Sequence, residues 1–196
     1  MRPRVKILLV VFISLTATAC GKSDIEKSKA FIAAGEFSQA ITLLNEQILE
    51  NSDNAEAHFL LGRAYLNTEQ LQTAEERFTN AITLKSDYAR DIGWEYKKAG
   101  ESALKRDNPG KAIRLFQAAV RYRPDLNKSV ARSADEKGRN LATGGKNAEA
   151  LGLHRYAIAN DPLLGKKMGK WYAVKAEKAD SASEKAEFRQ TAAQFT

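Results

Sequence analysis

Few residues of this chain are equipped for chemistry, and one of them stands alone. Cys20 is the single cysteine among 196 residues, so no disulfide can form within one chain. Its setting points to export. Arg2, Arg4 and Lys6 make a basic start, Ile7 to Ile13 is an unbroken apolar run extended by Leu15, and Ala17-Thr18-Ala19 places small residues directly before the cysteine. That order reads as a secretory signal peptide over residues 1–19. The apolar run falls well short of the roughly 20 residues a membrane-spanning helix needs. A lone thiol is a liability in an oxidising compartment. The remaining candidates are sparse. His58 and His154 are the only histidines; both occupy packing columns of a repeat, in different units, which opposes shared metal ligation. Gly144-Gly145 reads as a helix stop rather than a phosphate loop, and the serines lack a nucleophile elbow. Glu75-Glu76 and Asp135-Glu136 sit on helical segments and face solvent. The expectation is a protein that is not an enzyme and needs no cofactor or metal.

The Ala17-Thr18-Ala19-Cys20 stretch resembles the lipobox of bacterial lipoproteins, although Ala17 stands where that family prefers Leu. The resemblance implies that Cys20 is lipidated and becomes the mature N-terminus, held to a membrane by acyl chains. Gly21, in place of an Asp, implies the outer membrane, facing the periplasm. Ala17-Thr18-Ala19 also suits the ordinary signal peptidase, which would release a soluble protein.

Without residues 1–19, 177 residues remain, enough for one domain or a short repeat array. The formal charge of +7 includes the three signal-peptide charges, so the mature chain keeps about +4. That is too mild to argue for nucleic acid. With no disulfide available, a packed core must supply the stability. Ser23-Asp24-Ile25-Glu26 has the form of a capping box, which places the first helix start there, with residues 20–23 as the lipidated N-terminus and a short tether.

The elements that must position everything else are announced by period. Gly62, Gly100 and Gly138 stand 38 residues apart. Ala74, Ala112 and Ala150 keep the same interval, as do Ala81, Ala119 and Ala157, and Phe78, Phe116 and His154. A fixed period of this size means stacked supersecondary units. Apolar residues recur at helical spacing, as in Phe37, Ala40, Ile41, Leu44 and Ile48. Pro124 and Pro162 follow helices that must stop.

These columns resemble the tetratricopeptide repeat, a helix pair with small and aromatic residues at fixed positions. His58, Leu61, Gly62, Tyr65, Ala74, Phe78 and Ala81 match in one unit. Tyr96, Gly100, Ala112, Phe116, Ala119 and Pro124 match in the next, and Gly138, Ala150, His154, Ala157 and Pro162 in a third. The resemblance implies an all-α helical-hairpin solenoid, a right-handed superhelix. It spans residues 24–196 as about four repeats, with degenerate capping helices near Trp171 and Phe188. The family's period is 34, which Ala40 to Ala74 obeys. The interval from Gly to Ala inside each unit stays at 12, so the four extra residues of later units fall before helix A. They add about one turn to its start.

By resemblance, a concave groove of first helices binds a partner segment. Its candidates are Phe59, Arg63, Leu66 and Asn67, then Trp94, Lys97 and Glu101, then Arg132, Asp135 and Arg139. Ile25 and Lys29 stand where chaperone-binding members carry a carboxylate clamp, so that clamp is absent. Trp94 either joins the groove or packs the extra turn. Lys166, Lys167 and Lys170, beside Trp171, form a second, basic patch that could meet an anionic glycan, lipid headgroups or an acidic protein, or stand as a solvated helix face with the aromatics packed inward as a cap. Two functions follow as expectations. One is a scaffold lipoprotein in an envelope assembly, with envelope proteins as partners and the membrane reached through the lipid. The other is an accessory factor of exopolysaccharide export.

Overall fold

The computed structural model describes residues 14–195, with side chains described from Asp24 onward. Most of the signal-peptide reading, and the Cys20 side chain, lie outside the described residues. Among the described residues the chain is all helical: α1 Ser14–Ala34, α2 Phe37–Glu50, α3 Ala55–Asn67, α4 Leu71–Leu84, α5 Tyr88–Lys105, α6 Pro109–Tyr122, α7 Asn127–Thr143, α8 Asn147–Asn160, α9 Leu164–Lys178 and α10 Ala182–Ala193, with one 3-10 turn at Pro124–Leu126. The chain divides into two compact units, the first ending at Ile92 and the second beginning at Gly93.

The capping box is corrected. The backbone is already helical from Ser14, the first described residue, through Ser23, so the helix does not start at Ser23. Leu15, Ala17 and Ala19 are good helix formers, and in the uncleaved chain they carry the helix upstream.

In the first unit, α1 pairs with α2 and α3 with α4. Ile25, Ile32, Ala40, Leu44, Leu60 and Leu61 are buried together, with Phe31, Phe37 and Ile41 packed against them. The hairpin turns share one device. Gly35 and Glu69 take positive φ. The next residue donates its N–H back across the turn, Glu36 to Phe31 O at 2.8 Å and Gln70 to Tyr65 O at 2.9 Å. This is the Schellman closure, in which a left-handed residue lets the final carbonyls find partners.

The second unit repeats it. Asp107 and Gly145 have positive φ, Asn108 donates to Ala103 O and Lys146 to Leu141 O, both at 2.9 Å. The lengthening falls where the period places it: α3 has 13 residues, α5 has 18 and α7 has 17. The extra turn of α5 needs its own close approach. A β-carbon at Gly93 would collide with the Arg123 side chain and stand 3.0 Å from Ala119 O. The unit closes with α9 and α10, where Tyr172, Phe188 and Phe195 are buried.

The period-defining glycines have one physical cause. A β-carbon at Gly62 would lie 2.6 Å from the Phe78 ring, and one at Gly100 2.5 Å from Phe116. At Gly138 it would strike His154. Each glycine lets an aromatic ring of helix B lie flat on helix A of its own hairpin.

Candidate functional site

The residues expected in the groove divide between the two units. On α3, Phe59 stacks on Tyr88, 4.9 Å between ring centres, and lies 6.1 Å from Phe78. Leu66 is buried at 5% exposure, so it packs the core and offers a partner nothing. Asn67 is exposed, and its amide donates to Arg63 O at 2.8 Å. Nearby, Lys29 bridges Glu26 and Glu56, each at 2.7 Å. Hydrogen bonds to those two carboxylates hold the ammonium above its usual range. This face is largely occupied by its own contacts.

In the second unit, Trp94 on α5 is 44% exposed. Two cations attend its ring, Lys97 Nζ at 4.8 Å from the centroid and Arg123 at 5.8 Å, within reach of a cation–π attraction. Lys97 itself is 7% exposed and donates to the Glu101 carboxylate. Glu101 also accepts from Ser133 Oγ at 3.2 Å, which ties α5 to α7. Lys97 and Glu101 therefore hold the surface together beneath Trp94. Arg132 is exposed and meets no carboxylate among the described residues.

Asp135 and Arg139 belong to a second cluster. Arg139 Nε donates to Asp135 Oδ1 at 3.0 Å and its guanidinium lies 5.3 Å from the Trp171 ring centre. Behind them, His154 is fully buried. Its Nδ1 is 2.9 Å from the Tyr172 hydroxyl and its Nε2 3.4 Å from Asp135 O. The consistent arrangement has Tyr172 donating to Nδ1 and Nε2–H donating to the Asp135 carbonyl. Burial pushes His154 below its ordinary value, against an upward pull from Asp135. The same burial pushes Tyr172 up to about 12.

The basic patch near the C-terminus separates. Lys166, Lys167 and Lys170 point to solvent. Trp171 turns inward to meet Arg139, Lys175 and Tyr172. Lys175 donates to Ala142 O at 2.8 Å, which joins α7 to α9. A shallow cleft of about 330 Å³ beside it is lined by Trp171, Phe188, Lys175 and Glu184. Among the described residues no cluster of His, Cys, Asp and Glu could hold a metal ion. His58 is a core residue of the first unit, its Nε2 3.0 Å from Ser52 O. Sequence reasoning missed Arg123 and Lys128. The 38-residue interval from Lys128 to Lys166 was the available signal.

Residues 31–87 match the Tetratricopeptide repeat family, and their helices form the hairpins described above. Over these residues the chain is similar to tetratricopeptide repeats. The match ends one residue before α5, the first of the lengthened helices. No curated protein matches the sequence. Solved structures similar to it include "Crystal structure of MamA", 18% identical over 85% of this chain and 92% of that one, with a TM-score of 0.38. "Crystal structure of YrrB: a TPR protein with an unusual peptide-binding site" is 20% identical over 88% and 84%, with a TM-score of 0.40. "Functional Characterization of Pseudomonas Aeruginosa pilF" is 16% identical over 91% and 78%, with a TM-score of 0.39.

Proposed function

We propose that this chain is a non-catalytic adaptor of a bacterial envelope assembly, such as pilus, secretion, outer-membrane assembly or cell-wall machinery. Cys20 is lipidated and holds it to the outer membrane, facing the periplasm. The tetratricopeptide hairpins dock a segment of a partner protein on their first helices. Trp94 is the observation that carries the docking reading. A large aromatic, 44% exposed, fixed between two cations, matches the residue type and setting that dominate binding energy at interfaces. A photo-crosslinking residue in place of Trp94, in cells, should trap one defined envelope protein. Trp94→Ala should lose that partner while keeping its thermal midpoint. Retention of both partner and stability would remove Trp94 from the interface.

The exopolysaccharide reading is favoured by one feature, the exposed lysines Lys166, Lys167 and Lys170, which meet no carboxylate among the described residues. It predicts salt-sensitive binding of the purified protein to anionic polysaccharide.

A further inference from the structure

The first turns of the lengthened α5 and α7, and of α9, carry a charge pattern of their own. On α7, Lys128 and Arg132 are one turn apart, and both are exposed. Thirty-eight residues later, Lys166 and Lys170 hold the same two places on α9, again exposed. On α5 the place equivalent to Arg132 and Lys170 is taken by Trp94, with Arg123 against its ring. None of the four cations meets a carboxylate among the described residues. One to two turns further along the same stripe the charges are mixed and partly self-satisfied: Lys97 with Glu101 on α5 and Asp135 with Arg139 on α7, then Glu177 on α9.

The three helices lie side by side. Ser133 bonds to Glu101 between α5 and α7. Lys175 bonds to Ala142 O, and Arg139 lies over Trp171, between α7 and α9. At the roughly 8–10 Å common for packed helices, the paired cations would repeat at about that interval. An extended polypeptide advances about 3.3 Å per residue, so every third side chain returns after about 10 Å.

We propose that this row is the docking strip for an extended acidic segment of a protein partner. Carboxylates at every third position meet Arg132 and Lys170 in turn, and an apolar side chain lies on Trp94. The proposal rests on the adaptor reading and names the chemistry of its partner. Charge complementarity argues for it: four cations lack a partner on a strip where the neighbouring turn pairs its charges internally. Unpaired like charges on adjacent helices repel, and an anionic segment across them relieves that repulsion.

The test uses the full chain and labelled synthetic peptides followed by fluorescence anisotropy. One peptide carries aspartates at every third position around a leucine. A control has the same composition with the aspartates in one block. The spaced peptide should bind about tenfold more tightly than the block. Arg132→Glu with Lys170→Glu should weaken it about tenfold or more, from two exposed ion pairs lost and two repulsions gained. Arg132→Gln with Lys170→Gln replaces that variant if circular dichroism shows it unfolded. Equal binding of the two peptides, or indifference to both double variants, overturns the strip. So does tighter binding of polygalacturonate or of phosphatidylglycerol vesicles than of the spaced peptide. A failed strip with an intact crosslink at Trp94 leaves the adaptor standing; loss of the crosslink as well removes both.

Discussion

At the scale of single residues, the chain shows how small a change keeps a packing column working. Gly62 and Gly100 exist because a ring occupies the space of their missing β-carbons. Gly62→Ala should therefore cost about 1–3 kcal/mol through overpacking, read as a lower urea midpoint. An unchanged midpoint would mean that Phe78 simply moves aside. In the third such hairpin His154 replaces the phenylalanine, and the glycine opposite is retained. The histidine is neutral because burial outweighs the attraction of Asp135. Its folded value lies below the ordinary 6.5, so the unfolded chain takes up the proton first as pH falls. The neutral imidazole's contribution is complete above about pH 6.5 and declines as pH drops through and below that value. His154→Phe should abolish this part of the decline in a pH series of urea melts. It should also lower stability at pH 7 by about 1–3 kcal/mol, because the buried Tyr172 hydroxyl loses its partner. The sequence marked His154 as a core residue. It could not show that Asp135 and Arg139 sit on the imidazole's far side, because that depends on where α9 delivers Trp171 and Tyr172.

At the scale of elements, the helix boundaries follow local rules with one recurring exception. Asn54 and Asn108 cap α3 and α6 with their side chains, accepting from Ala57 N at 3.0 Å and Lys111 N at 3.1 Å, as the preference for Asn at that place requires. The left-handed turn residue is Gly35 and Gly145 in two hairpins but Glu69 and Asp107 in the others. A residue with a β-carbon is strained there. Glu69→Gly should raise stability by up to about 1 kcal/mol, visible as a higher thermal midpoint; a fall would mean that the Glu69 side chain contributes more than its backbone costs. Asp107 is the poorer choice for this change, since Lys137 and Lys146 neutralise it and the Lys137 bond pulls its carboxyl below the usual range. The lengthening of α5 and α7 was legible from the interval alone. Its accommodation was not: Gly93 is needed because α6 ends against it at Arg123, a contact no periodic column records.

At the scale of the whole molecule, the address and the fold are separate matters. If Cys20 is lipidated, Cys20→Ala should move the mature chain from the membrane to the soluble fraction, followed by immunoblot of fractionated cells. A variant that still sediments with membranes sinks the anchor. By itself the sequence determined the all-helical repeat class, the hairpin register and the place of the extra turn, because these are written in spacing and spacing survives without coordinates. Tertiary structure alone decided which candidate residues remain available to a partner. Leu66 and Lys97 were spent on packing and internal pairing, Phe59 was half covered by Tyr88, and Trp171 turned inward. Trp94, Arg132, Lys166, Lys167 and Lys170 stayed exposed. Helical position fixes the face a side chain is issued from, but availability depends on what the neighbouring helices bring against it, and that is a property of the packed chain.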